Sequence, residues 1–168
     1  PSSGSATERV GILAYSANDL ADAALQETYA PIPLVDAEGA MIQTLWQEAA
    51  DNPVDFGQST SVTLLHLAGH GSPVQEHLEE AHLLVGPDRV LTFHDVLGSP
   101  LRPQVAFLSA CLVGRSREDL DGDPLGMATA FMVHGVNYVV APLVPVSDFY
   151  MPLLAVLFHQ GLVAGRSP

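Results

Sequence analysis

The sequence predicts one α/β domain in which helices cover both faces of a mostly parallel sheet. Short apolar runs alternate with segments of helical pattern along the chain, as expected for successive strand-helix-strand units. Residues 61–67 and 104–109 are almost continuously apolar, which is typical of central parallel strands buried on both faces. With 168 residues, 48% hydrophobic and 15% charged, the chain can form one substantial core.

The first third of the chain repeats a strand-and-helix pattern. Residues 10–15 are apolar and are followed by capping residues, which predicts a strand and then a helix to about Tyr29. Residues 32–35 lie beside prolines and predict a second short strand. Asp36 is then a candidate N-cap for a helix that ends near residues 51–53.

Two shorter elements are predicted between the buried strands at residues 61–67 and 104–109. Residues 82–85 indicate a short strand, and residues 92–97 indicate a brief helix or turn. Beyond the second buried strand, Asp123 and Pro124 have the pattern of an N-cap and a first helical residue. They predict a helix that ends before Gly135.

Two further elements complete the predicted fold. Residues 138–142 predict a strand, and residues 149–161 predict a final helix with Pro152 in its first turn. Because ligands bind beyond the carboxyl ends of the strands in such sheets, we expect the functional residues at that edge.

The charge of the chain excludes some classes of partner. Its formal net charge is −13, from 19 acidic residues and six basic ones. Such a charge repels nucleic acids and anionic membranes, so we expect neither as a partner. The same field would attract a cationic peptide or protein.

The ends of the chain and its cysteine content bear on compartment and domain limits. The single cysteine cannot form an intramolecular disulfide, and the sequence has neither a signal-peptide pattern nor a membrane-spanning apolar run, so we expect a cytoplasmic protein. We expect residues 1–8 to be a linker or a tag remnant, because they begin with linker composition and lack an initiating Met. Residues 9–168 would form the domain.

Two reactive side chains follow the two buried strands. His70 comes shortly after the first strand and Cys111 shortly after the second, so both should lie at the carboxyl edge of the sheet. A histidine in reach of a thiol can accept its proton and later protonate a leaving amine, which is the chemistry of acyl transfer. The N–H groups of Gly71 and Cys111 could then stabilise an oxyanion. Alternatively, Cys111 is an inert core residue and His70 a polar edge residue.

The remaining histidines do not form a metal-binding pattern. Along an extended strand His66 and His70 would be separated by about 13 Å, which argues against a shared metal ion. We therefore interpret His66 as a hydrogen-bonded core residue. The other histidines have no ligand spacing, and we expect neither a metal nor a cofactor; they are His77, His82, His94, His134 and His159.

The sequence around both candidate residues resembles the CHAT family. Residues 64–71 (LLHLAGHG) and 107–111 (FLSAC) are similar to its histidine and cysteine blocks, and the likeness continues through residues 122–131, 136–141 and 145–148. CHAT domains are caspase-like peptidases related to caspases and separase. The resemblance implies a caspase-like three-layer sandwich, a Cys111 nucleophile with a His70 partner, no cofactor, and frequent fusion to regulatory modules.

The sequence departs from the family pattern at two places. Leu143 stands where the family usually has Trp, which suggests a different pocket wall. The family commonly continues into another helix and a last strand, whereas this chain ends at Pro168. We therefore expect that the C-terminal part of the domain is missing, cleaved or disordered.

Asp148 is the candidate residue for substrate specificity. It matches an acidic position that holds a basic P1 side chain in separase-like relatives, and a carboxylate can pair bidentately with arginine. Alternatively, Ser147 or Asp148 caps the final helix.

Three functional hypotheses follow from these patterns. The first is a cysteine endopeptidase, cleaving after Arg or Lys and regulated by a partner region outside this chain. The second is an inert caspase-like binding or scaffold domain that recognises a protein without cleaving it. The third is a flavodoxin-like domain for a small ligand or for regulation, which would leave the pairing of His70 with Cys111 unexplained.

Overall fold

The computed structural model describes residues 9–58, 61–72, 82–110, 126–144 and 146–168. The strands in these ranges are β1 (Val10–Ala14), β2 (Ala50–Asp51), β3 (Leu64–Ala68), β4 (Gly71–Ser72), β5 (His82–Gly86), β6 (Arg89–Thr92), β7 (Val105–Ser109) and β8 (Tyr138–Val140). The helices are α1 (Ala23–Thr28), α2 (Leu34–Trp46), α3 (Phe93–Gly98), α4 (Met127–Val133) and α5 (Tyr150–Val163).

The main sheet has five parallel strands in the order β2-β1-β3-β7-β8. The central strands β1, β3 and β7 are in register, so Ala14 pairs with Ala68 and Ala68 pairs with Ser109. Their carboxyl ends therefore lie side by side at one edge of the sheet. Two residues separate the end of β3 from the start of a smaller antiparallel sheet, β4-β5-β6.

Helices pack on both faces of the main sheet because successive strand residues point to opposite faces. On β3, Leu64 lies in the core that includes Ile42 of α2 and Ala155 of α5. Leu65 and Leu67 lie in the opposite core, which includes residues of α3 and α4. The expectation of a mostly parallel α/β sandwich covered on both faces is confirmed.

The strand predicted at residues 32–35 is wrong. Val35 belongs to α2, and the buried residues of that helix are Val35, Glu38, Gly39 and Ile42. Their spacing is that of one helical face. The charged residue Glu38 interrupts the apolar face and obscured this periodicity. The apolar residues beside the prolines suggested a strand instead.

The boundaries of α2 also differ from the prediction. Pro33 occupies the N-cap position, and Asp36 lies in the first turn of the helix. The helix ends at Trp46, a 3-10 turn follows at Gln47–Ala49, and the chain then enters β2. Residues 50 and 51 extend the sheet instead of the helix because their backbone pairs with β1.

Other predicted elements are confirmed. Thr92 caps α3 through a reciprocal capping box with Asp95. Gly135 follows α4 with a φ of 97°, a conformation that favours glycine, and Pro152 lies in the first turn of α5. The predicted start of α4 at Asp123 lies outside the described residues. Among the helices in the described ranges, none is long and apolar enough to cross a membrane.

We expect Gly39→Val to lower the free energy of unfolding by about 2 kcal/mol, a typical cost of overpacking. A Cβ atom at Gly39 would lie 2.7 Å from the Cβ of Ala14, so α2 and β1 could not keep their separation. Gly98→Val is the matched control, because a Cβ there meets no heavy atom within 4 Å. Urea unfolding of both variants tests this, and equal stability would contradict the packing argument.

Candidate active site

The carboxyl ends of β3 and β7 form the base of the candidate site. The N–H of Gly69 donates a hydrogen bond of 3.2 Å to the carbonyl of Ser109, which continues the pairing beyond the strands. A Cβ atom at Gly69 would lie 2.9 Å from the carbonyl oxygen of Leu84 and 3.2 Å from that of Tyr15. Glycine is therefore needed here so that three backbone segments can approach one another closely.

His70 leaves this turn half-buried and with a fixed orientation. Its Nε2 lies 2.6 Å from the carbonyl oxygen of Ala30, and its ring lies 5.1 Å from the ring of Tyr29. A carbonyl oxygen only accepts hydrogen bonds, so Nε2 carries the proton in this contact. In the neutral imidazole Nδ1 is then the acceptor, which leaves it able to take a proton from another group.

The other residues proposed for the chemical step are less fully defined. Cys111 lies outside the described residues. Gly71 begins β4 and pairs with Leu83 of β5. The predicted meeting of Cys111 with His70, and the predicted oxyanion site at Gly71, therefore remain predictions.

A small cavity of about 40 Å³ opens beside His70. It has room for about three water molecules, at roughly 10–15 Å³ each. Its polar side chains include those of Glu38, His70 and Asp148. The other lining residues are Ile32, Val35, Gly69, Ser109, Ala110, Val146, Met151 and Pro152. Glu38, His70 and Asp148 thus lie around a mostly apolar cavity, and both carboxyl oxygens of Glu38 are buried.

Asp148 lines this cavity and is exposed. Phe149 occupies the N-cap position of α5 without a side-chain cap hydrogen bond. The carbonyl of Ser147 accepts hydrogen bonds from the N–H groups of Tyr150 and Met151, and its Oγ accepts one from the N–H of Phe149. Of the two residues considered as caps, Ser147 is the one that binds the first N–H groups of α5, although it does not occupy the N-cap position. Leu143 is 66% exposed and is not among the described residues that line the cavity.

A chain of buried polar side chains extends from the cavity into the core. His66 and Glu38 are fully buried, and His66 Nε2 lies 3.1 Å from Glu38 Oε1 without the alignment of a hydrogen bond. On the opposite side of its ring, His66 Nδ1 lies 3.1 Å from His159 Nε2. Trp46 donates to His159 Nδ1 over 2.9 Å.

The interpretation of His66 as a hydrogen-bonded core residue fits this chain. Sequence reasoning assigned no role to Glu38 or His159. The sequence feature that could have revealed Glu38 is its position among the apolar residues of one face of α2. His159 gave no such signal, because its contact with His66 joins β3 to α5 across 93 positions of the sequence.

His159 is held neutral by its surroundings. Burial lowers the pKa of His159 from 6.5 to about 3, and the neighbouring His66 adds to the effect. A neutral His159 can accept from the indole of Trp46 and donate to His66 at the same time.

The comparisons with known proteins agree with this architecture. The family model for the CHAT domain matches residues 2–168. The parallel sheet between two helical layers and this match define the chain as a caspase-like α/β domain. The chain belongs to the CHAT domain family. No curated protein sequence matches it.

Acid should destabilise the fold through His159. Because its folded pKa lies below its unfolded value, the stabilisation is complete above about pH 6.5 and is lost as the pH falls toward 3. We expect the unfolding free energy of the parent chain to fall by about 2 kcal/mol more between pH 7 and pH 5 than that of His159→Phe.

Urea unfolding at several pH values measures this difference. His94→Gln is the control, since it removes a histidine from an exposed position. A His159→Phe variant with the same pH dependence as the parent chain would show that His159 is not held neutral.

Proposed function

We propose that this domain is a cysteine endopeptidase in which His70 is the general base and Cys111 the nucleophile. The observation that carries the proposal is the orientation of His70 at the carboxyl end of β3. The carbonyl of Ala30 holds Nε2–H and leaves Nδ1 as a proton acceptor. Ala68 pairs with Ser109, and His70 and Cys111 each follow these residues by two positions, which supports their pairing.

The proposed reaction proceeds through a thioester. His70 Nδ1 takes the proton of the Cys111 thiol, and the thiolate attacks the carbonyl carbon of the peptide bond. The N–H groups of Gly71 and Cys111 stabilise the resulting oxyanion. When the C–N bond breaks, His70 protonates the leaving amine. Water activated by His70 then hydrolyses the thioester and regenerates the thiol.

The proposed substrate is a protein or peptide with a basic P1 side chain. Asp148 lies on the cavity beside His70, and the net charge of −13 attracts cations toward the domain. Because Asp148 is exposed, its pairing with a cation is screened by solvent. We therefore assign it a moderate contribution to specificity.

We also propose regulation by a protein region outside this chain, in a cytoplasmic setting. On α5, Leu153, Leu154 and Leu157 are each more than half exposed, which supports contact with another protein surface. The single cysteine supports a reducing compartment.

We expect Cys111→Ala to abolish cleavage of a basic peptide substrate, and His70→Ala to reduce it by about a thousandfold or more. Far-ultraviolet circular dichroism should show intact folding in both variants, and the exposed-site variant His94→Ala should retain activity. Mass mapping of an irreversible peptidyl electrophile should locate the label on Cys111. Equal cleavage by the parent chain and Cys111→Ala would refute the peptidase function and favour an inert binding domain.

Asp148→Asn should reduce cleavage after Arg and Lys by about two- to fivefold, the effect expected of an exposed charge pair. Kinetics with fluorogenic peptides that differ only at P1 measure this change. If Asp148 served only as a helix cap, asparagine would replace it with little effect. An unchanged Arg preference in the variant, or a parent preference for apolar P1 residues, would overturn the assignment of Asp148.

A further inference from the structure

His82 contacts the side chain that packs against His70. It begins β5 and is buried, and its Nε2 lies 2.8 Å from the hydroxyl oxygen of Tyr29. Tyr29 is also buried, and its ring lies 5.1 Å from the ring of His70. A buried tyrosine hydroxyl needs a hydrogen-bond partner, and His82 supplies one. The side chains of His82, Tyr29 and His70 are therefore in contact one after another.

The same contact fixes the backbone group that binds His70. Ala30, whose carbonyl accepts from His70 Nε2–H, lies in the connection between α1 and α2. On one side of Ala30, the side chain of Tyr29 is bound to His82. On the other side, the N–H of Ile32 donates over 2.9 Å to a carbonyl in the segment that follows β1. The carbonyl of Ala30 is thus held between two hydrogen-bonded anchors.

Strand β5 also binds the backbone of His70 directly. The N–H of Leu84 donates to the carbonyl of His70 over 2.8 Å. This strand therefore contacts His70 twice, once at its backbone and once at its imidazole through His82 and Tyr29. The orientation of the imidazole matters because its two nitrogens are not equivalent. Nε2 must stay on its carbonyl acceptor if Nδ1 is to accept a proton.

We propose that His82 is a positioning residue for the peptidase reaction proposed above. It holds Tyr29, and through Tyr29 and Ala30 it keeps the imidazole of His70 with Nε2 protonated and Nδ1 as the acceptor. The inference rests on the proposed function for its catalytic consequence. The fixed orientation of His70 can be measured without turnover.

Apolar packing alone would not explain the polar pair. Phenylalanine and leucine could fill the space of Tyr29 and His82 at little cost, because replacing both partners of a buried hydrogen bond by apolar groups can be nearly neutral for stability. A hydrogen bond is directional, whereas apolar contact is not. The pair therefore supplies a defined position for the Tyr29 ring and for the carbonyl of the next residue.

Kinetics with a peptide substrate test the catalytic consequence. We expect Tyr29→Phe and His82→Leu each to lower kcat about tenfold and to change KM by about twofold or less, because a misplaced base slows the chemical step and leaves substrate binding intact. His82→Gln should retain about a third or more of the parent kcat, since its amide can still bond the tyrosine hydroxyl. Tyr138→Phe is the matched control because it removes a hydroxyl from an exposed side chain.

The double variant Tyr29→Phe/His82→Leu separates positioning from stability. With both polar partners removed, its urea unfolding should be close to that of the parent chain, while its kcat stays about tenfold lower. A kcat that recovers together with stability would show that His82 has only a structural role. A kcat like that of the parent in either single variant would contradict the proposal in the same way.

Nitrogen-15 NMR of the His70 imidazole tests the orientation without turnover. Above about pH 8, where an ordinary imidazole is neutral, the two nitrogen shifts report which nitrogen carries the proton. We expect Nδ1 to be unprotonated in the parent chain and its resonance to move toward that of a protonated nitrogen in Tyr29→Phe and His82→Leu. His70→Gln assigns the signals. An unchanged tautomer in both variants would overturn the proposal.

Failure of the two proposals is distinguishable. A parent chain with the fixed tautomer, lost in His82→Leu, but without cleavage would refute the peptidase function and preserve the orienting role of His82. Cleavage that is insensitive to Tyr29→Phe and His82→Leu would refute only this inference.

Discussion

The parallel pairing of β3 with β7 is the constraint on which the rest of the site depends. Their register aligns Ala68 with Ser109, and the hydrogen bond from Gly69 to Ser109 holds the two strand ends together. Because both strands are buried on both faces, a slip of one residue would exchange their two packed faces. Hydrophobic packing therefore fixes the position of His70 relative to β7.

Burial has two opposite effects around the cavity. It makes the sheet stable, since side chains such as Leu65 and Leu67 leave water completely. It also leaves both carboxyl oxygens of Glu38 without a hydrogen-bond partner among the described residues, which costs free energy. A stable apolar shell that contains one poorly paired polar group is a common physical signature of a functional site, where local stability is given up for binding.

The chain of Trp46, His159 and His66 connects this group to the packing of the domain. It joins α2, α5 and β3, so the position of Glu38 depends on three elements that are distant in sequence. The neutral state of His159 gives the chain a fixed direction of hydrogen-bond donation. The packing of α2 and α5 against β3 therefore determines where the Glu38 side chain lies relative to His66.

The sequence by itself determined the α/β class, the two central strands and the location of His70 after one of them. These features follow from local periodicity and from the apolar runs that buried strands require. The pairing with Cys111 remains a prediction. Only the tertiary structure decided that α2 begins at Leu34, that the carbonyl of Ser147 binds the first N–H groups of α5, and that His66 lies beside Glu38. Glu38, His66 and His159 meet through packing of separate elements, and such long-range contacts leave no pattern in the local sequence.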